Sequence, residues 1–182
     1  RKRRELATVQ DRTAQITSGD VLCFLCLRNE AQRLPHFLAH HRALGVRHFL
    51  AVDNASTDGS GALLVDQPDV SLWHTPASYK ASRFGMYWLT WLQMRHGHGH
   101  WCLTLDADEL LVYPHWQTRP LSALTGWLEM QGRDSFGALT LGMYPEGLVS
   151  QGQSGPQDDP IRHLAWFDAG NYQVQVQPRL RN

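Results

Sequence analysis

The sequence predicts an α/β fold, a mostly parallel sheet with helices on its faces. Three observations carry that expectation. Residues 21–52 read as strand, helix, strand, the unit that builds parallel sheets through crossover connections. The run Trp101-Cys102-Leu103-Thr104-Leu105 is apolar and breaks abruptly into Asp106-Ala107-Asp108-Glu109, as a strand buried on both faces and ending at a ligand would. Two earlier strand tips are loaded as well, with Arg28-Asn29-Glu30 and with Asp53-Asn54-Ala55-Ser56-Thr57-Asp58-Gly59-Ser60. Open α/β sheets bind their ligands outside the carboxyl ends of the strands.

Taken in order, residues 1–19 are polar without a clear period and are expected as a flexible, basic lead-in. The folded domain is expected over residues 20–182. Val21 to Leu27 is a continuous apolar run and reads as the first buried strand. Leu34, Phe37, Leu38, His41 and Leu44 recur at helical spacing, with Pro35 near the start and Gly45 past the end. His48 to Val52 is the second strand, and a short helix through Leu63-Leu64 follows the turn-rich cluster. Val70 to Trp73 is the third. Ala81 to about His96 reads as a long helix, apolar on most sides through Phe84, Tyr87, Trp88, Trp91 and Leu92, hence largely buried. Trp101 to Leu105 is expected as the central strand. Leu121, Leu124 and Leu128 mark another helix, and Phe136 to Met143 a further strand. Residues 145–160 have loop composition, and Ala165 to Val176 suggests a last short strand.

A chain of 182 residues with 42% hydrophobic content suffices for one domain with a proper core. Its formal net charge of zero weighs against a nucleic-acid partner. No apolar run approaches the length of a membrane span, and no secretory leader is visible. A cytoplasmic location is therefore expected. The chain opens with Arg1-Lys2-Arg3-Arg4 in place of Met, so its true start is expected upstream. That tetrad reads as a solvated arm, with peripheral contact to acidic lipid as the alternative. Cys23 and Cys26 have the spacing of half a zinc site, but residues three apart on a strand face opposite sides and no second pair exists. Buried, reduced thiols are expected. His96-Gly97-His98-Gly99-His100 falls in the turn before the acidic strand, at the opposite end of the sheet from the acids, and no metal role is expected of it.

The acids have a chemistry of their own. On an extended segment Asp106 and Asp108 would face one side, roughly 6–7 Å apart at Cα. Two carboxylates sharing a spot repel unless a cation lies between them. Hard oxygen ligands favour Mg²⁺ or Mn²⁺, whose remaining positions are filled by water and substrate phosphates. Asp-x-Asp is common by chance, so its company decides its meaning. Lys80 and Arg83 stand where the long helix is expected to begin, and two cations with a helix amino end suit a phosphate.

In this order the signals resemble the family 2 glycosyltransferases of the GT-A fold. The closest likeness is to the bacterial branch carrying RNE, VDNxSTDGS and DADE motifs, here residues 28–30, 52–60 and 106–109. The resemblance covers about residues 20–180 and implies a GT-A, Rossmann-like sheet. It implies a nucleotide-diphosphate sugar donor, Mn²⁺ or Mg²⁺ as cofactor, and a glycan or small-molecule acceptor. It places Asn29 and Glu30 beside the nucleotide, with Arg28. Asp53 recognises the base, Lys80 and Arg83 lie near base or phosphate, Asp106 holds ribose and cation, and Asp108 is the more direct metal ligand. Asp58 is expected to shape its loop, and Glu109 stays without an assigned role. An inverting reaction is implied, with a carboxylate base downstream among Glu146, Asp158, Asp159 and Asp168, of which Asp168 and Glu146 are favoured. Such chains continue past a segment like residues 177–182, so part of the acceptor region is expected to be lacking. Two other readings compete. Nucleotidyl transfer wants glycines after the first strand, where Arg28-Asn29-Glu30-Ala31 has none. A nucleotide-sugar-binding domain without turnover would keep the same motifs.

Overall fold

The computed structural model describes residues 2–146 and 160–170. It divides into two compact units, Arg1–Phe136 and Gly137–Asn182, each described by itself below. The first holds a five-stranded sheet in the order β1-β4-β3-β2-β5. Its strands are β1 (Ala7–Gln10), β2 (Val21–Leu27), β3 (Val46–Asp53), β4 (Val70–His74) and β5 (Trp101–Thr104). The pairs β2/β3, β3/β4 and β2/β5 are parallel, and β1/β4 is antiparallel. The expected α/β class, a mostly parallel sheet flanked by helices, is what forms.

The core explains why the apolar runs became strands. Every side chain of β2 is buried, split by the pleat between two faces. Cys23, Leu25 and Leu27 join Phe37 and Leu38 of α1 (Leu34–Leu44), Leu64 of α2 (Ser60–Val65) and Leu121 of α4 (Leu121–Met130) on one face. Leu22, Phe24 and Cys26 meet Trp88, Leu89 and Leu92 of α3 (Met86–His96) on the other. All three cysteines are free thiols, with Cys23 and Cys26 buried. Helix α1 ends as its sequence predicts: Gly45 takes φ 108° and returns its N–H to the Arg42 and His41 carbonyls.

Four expectations are corrected. Residues 1–19 are not a bare lead-in, because β1 extends the sheet along β4. Arg12 donates to the Val70 and Val65 carbonyls at 3.0 Å each, and the Trp88 indole donates to Glu5 at 2.9 Å. Such anchoring uses backbone ladder bonds and single polar contacts, which leave no hydrophobic period. The acidic strand is an edge strand, not the central one, and β5 is only half-buried with Thr104 exposed. The fully buried position belongs to β2. The long helix starts at Met86, not at Ala81. Lys80–Ser82 is one turn of 3-10 helix, and Arg83, Phe84 and Gly85 all take positive φ. Only one face of α3 meets the sheet, so Tyr87 and Met94 stay exposed, as does Phe84 in the turn before it. Phe136 to Met143 forms no strand, because a strand needs a neighbour for its ladder and the described residues supply only the bridge between Tyr144 and Trp166.

In the second unit, α5 spans Pro160–His163. The expected loop over 145–160 lies largely outside the described residues, as do the acidic candidates Asp158 and Asp159 and the segment 177–182; of the expected strand over 165–176, residues 165–170 are described and form only the bridge at Trp166. Among the described residues no helix is long and apolar enough to cross a membrane.

Candidate functional site

The chain lays down β2, β3 and β4 in one direction and then places β5 on the other side of β2. Neighbouring carboxyl ends diverge at such a reversal and leave a crevice. A cleft of about 380 Å³ opens there. Strand β2 and its following turn supply Cys26, Leu27, Arg28 and Glu30, the turn after β3 supplies Asn54, and the turn after β5 supplies Asp106, Ala107 and Asp108. Tyr79, five residues past β4, completes the lining. The structure thus brings Arg28, Glu30, Asp106 and Asp108 together.

The acids do not continue β5 as an extended strand. Leu105 still donates to the Phe24 carbonyl, at 3.2 Å, but the chain then turns. Glu109 N–H donates to the Asp106 carbonyl at 3.0 Å, and the Glu109 carboxylate accepts from Asp106 N–H at 3.1 Å. Glu109 therefore shapes the turn, the role the sequence left open. Ala107 is buried beneath it while Asp106 and Asp108 reach solvent. The extended spacing is replaced by a tight turn from which both Asp106 and Asp108 line the cleft.

Electrostatically the site is overloaded with negative charge. Partial burial raises Asp106 above the usual carboxylate range, and the charges of Glu109, Asp108 and Glu30 push it further. The nearby Cys26 thiol is pushed up to about 12, by burial first and then by Asp106 and Asp53. Like charges around one acid destabilise its ionised form, and a cation among them would reverse that. Among the described residues no group of three or more His, Cys, Asp or Glu side chains is placed to hold a metal alone. Two carboxylates of hard oxygen suit a divalent cation whose other ligands come from a bound phosphate and water.

The remaining predicted residues are placed differently. Asn29 sits at φ 59°. Its N–H donates to Ser56 Oγ at 2.9 Å and its Oδ1 accepts from Thr57 N–H at 2.7 Å. It ties two loops and does not line the cleft. Asp58 does the same, accepting from Ala31 N–H, Ser60 N–H and the Ser60 hydroxyl. Asp53 is buried, with Oδ1 accepting from Ser56 N–H at 2.9 Å. Its neighbour Asn54 reaches the cleft instead. Lys80 and Arg83 precede α3 by several residues and are not in the lining, and the Arg83 guanidinium lies 5.7 Å from the Tyr87 ring centre. Glu146 and Asp168 belong to the second unit, where Asp168 accepts from the Tyr144 hydroxyl at 3.0 Å. At the other end of the sheet the His-Gly run packs locally, with His100 Nδ1 3.1 Å from the Asp20 carbonyl and the His96 ring near Trp73.

No protein-family model matches the chain, and no curated protein matches it either. The site must be read from its own geometry.

Sequence reasoning missed Tyr79 and Asn54. Asn54 stood inside the turn cluster, where every residue looks like a turn former. Its Nδ2 donates to the Thr75 and Ala77 carbonyls at 2.9 and 3.0 Å, which fastens the segment leading to Tyr79. The one local signal for Tyr79 was Gly85, inside a run otherwise read as helix.

Proposed function

We propose that the chain is a metal-dependent glycosyltransferase of the GT-A type. It takes a sugar from a nucleotide-diphosphate donor and passes it, with inversion, to a glycan or small-molecule acceptor. The observation that supports this best is the gathering of Asp106 and Asp108 with Arg28, Glu30, Asn54 and Tyr79 in one cleft at the carboxyl ends of the strands. Asp106 and Asp108 would hold Mn²⁺ or Mg²⁺, which when bound offsets the charge developing on a leaving diphosphate. Arg28 adds a fixed positive charge on the same wall. Asn29 and Asp58 keep the two loops in register, and Asp53 braces Ser56. Lys80 and Arg83, just outside the lining, are left as a cationic flank for an incoming anion. A nucleotide-sugar-binding module without turnover is the second reading, favoured because the cleft gathers Arg28, Glu30, Asp106 and Asp108, all expected on the donor side, and none of the residues expected to act on an acceptor.

Thermal unfolding with uridine and guanosine diphosphates, with and without Mn²⁺, tests the donor site. Saturation at about 100 times the dissociation constant adds roughly 2.7 kcal/mol of stability. A stabilisation that requires Mn²⁺ and disappears in the Asp106→Ala, Asp108→Ala double variant is expected. Equal stabilisation without metal, or in that variant, would remove the assigned role. Donor consumption measured with and without acceptor sugars then separates transferase from binding module.

A further inference from the structure

We infer that Tyr79 is the ring platform of the cleft, stacking the planar base of a nucleoside diphosphate, and that the strained turn over residues 83–85 serves to hold it there. The inference rests on the donor-site reading and names the group that reads the base. Among the nine lining residues Tyr79 alone carries an aromatic ring, and it is 39% exposed.

The turn is costly and its contacts converge on one place. Arg83, Phe84 and Gly85 take φ 50°, 54° and 78° in succession, and the left-handed region is unfavourable for the two that carry a Cβ. Strain of this kind persists only where the surroundings enforce it, and it gathers at ligand sites. Starting α3 needs no such run, since a capping Ser or Asp would suffice. The strained residues instead support Tyr79. Phe84 N–H donates to the Tyr79 carbonyl at 2.9 Å, and the Phe84 ring meets the Tyr79 ring at 5.8 Å in a near-perpendicular pair. Gly85 packs so closely that a Cβ there would lie 2.9 Å from Cys26 Sγ and 3.1 Å from the Tyr79 ring. Cys26 is itself part of the lining.

Tyr79 lines the same cleft as the acids. Burial first, and then the charges of Asp106, Cys26 and Asp108, raise the Tyr79 phenol above its ordinary range. A ring fixed beside Asp106 and Asp108 suits a ligand that joins a flat, uncharged group to an anion bridged by a cation. Base-on-aromatic stacking tolerates different bases because every base offers a π-face. On this account the platform binds uracil and guanine alike, and choice between them falls to other groups.

Calorimetric titration of the full chain with uridine diphosphate, guanosine diphosphate and inorganic pyrophosphate, all with Mn²⁺, tests the inference. In Tyr79→Leu both nucleotides should bind roughly tenfold or more weakly, the order expected for one lost stack, while pyrophosphate, which has no ring, binds unchanged. Tyr79→Phe should bind the nucleotides as the unaltered chain does. Three outcomes overturn the platform alone: wild-type nucleotide affinity in Tyr79→Leu, an equal loss for pyrophosphate, or a loss in Tyr79→Phe as large as in Tyr79→Leu. Absence of nucleotide binding by the unaltered chain overturns the donor reading itself, and the platform with it.

Discussion

At the scale of single residues, Asp106 couples the site to pH. Its folded-state pKa lies above the ordinary 3.8 because burial and then Glu109, Asp108 and Glu30 oppose its ionised form. Without a cation the sign is therefore unfavourable: the folded state gains stability as pH falls from above the raised value towards 3.8. With a cation the ordering reverses, since binding must displace the proton. Mn²⁺-dependent nucleotide affinity should accordingly weaken as pH falls towards the raised Asp106 value, where its carboxylate protonates. Asp106→Asn should weaken binding and flatten that slope. Calorimetry across the range reads both, and an unchanged slope in Asp106→Asn would assign the titration to another group. Ranking the acids needs the fold, because the raised pKa arises first from burial, and Glu30 reaches Asp106 only through the pairing of β2 with β5.

At the scale of elements, the two loops after β2 and β3 act as one piece. Asn29 joins them with its backbone N–H and its side-chain oxygen, in a left-handed conformation that Asn tolerates and most residues resist. Asn29→Ala should lower stability by about 1–2 kcal/mol, combining backbone strain with the loss of the Thr57 N–H bond. Asn29→Gly loses the bond and keeps the conformation at no steric cost, so it should destabilise less. Urea unfolding of the pair measures the difference, and equal losses would show that backbone strain contributes nothing here. The element ends fared unevenly in the sequence. Strand β2 and helix α1 were legible to the residue, since a seven-residue apolar run and a Pro-to-Gly frame are local signals. The start of α3 was not, because Lys80 to Phe84 has ordinary helical composition and only contacts with Tyr79 and Cys26 break it.

At the scale of the whole molecule, the acidic segment is clamped to α1 from behind. His41 is wholly buried. Its Nδ1 lies 2.8 Å from the Phe37 carbonyl and its Nε2 3.3 Å from Leu111 N–H, so the neutral form with the proton on Nδ1 satisfies both. His40 Nε2 lies 2.8 Å from the Leu111 carbonyl. Burial is the largest cause that lowers His41 from 6.5 to about 4. A histidine depressed on folding contributes stability that is present above about pH 6.5 and is lost as pH falls towards about 4. The full effect is bounded at roughly 3 kcal/mol. The urea midpoint should fall from about pH 7 to about pH 5, and His41→Gln should reduce that fall while lowering stability at neutral pH. An equally steep fall in His41→Gln would place the sensitivity elsewhere, with His48, also lowered by burial, the next group to examine.

The sequence by itself determined the fold class, the first two parallel strands with their helix, and the carboxyl-end position of Asp106 and Asp108. These depend on apolar runs, helical spacing and chain order, which are local or nearly so. Tertiary structure alone decided that β2, not the acidic strand, occupies the fully buried place, that residues 7–10 extend the sheet, and that the acids sit on a turn. It also moved Asn29 and Asp53 into loop scaffolding, beside Asp58 as expected, and brought Tyr79 into the cleft. The physical reason is common to all of these. Burial depends on what covers both faces of a strand, and a side chain's partner is set by backbone turns whose strain is repaid by distant contacts. Gly85 needs the space beside Cys26, far away in the chain and adjacent in the fold.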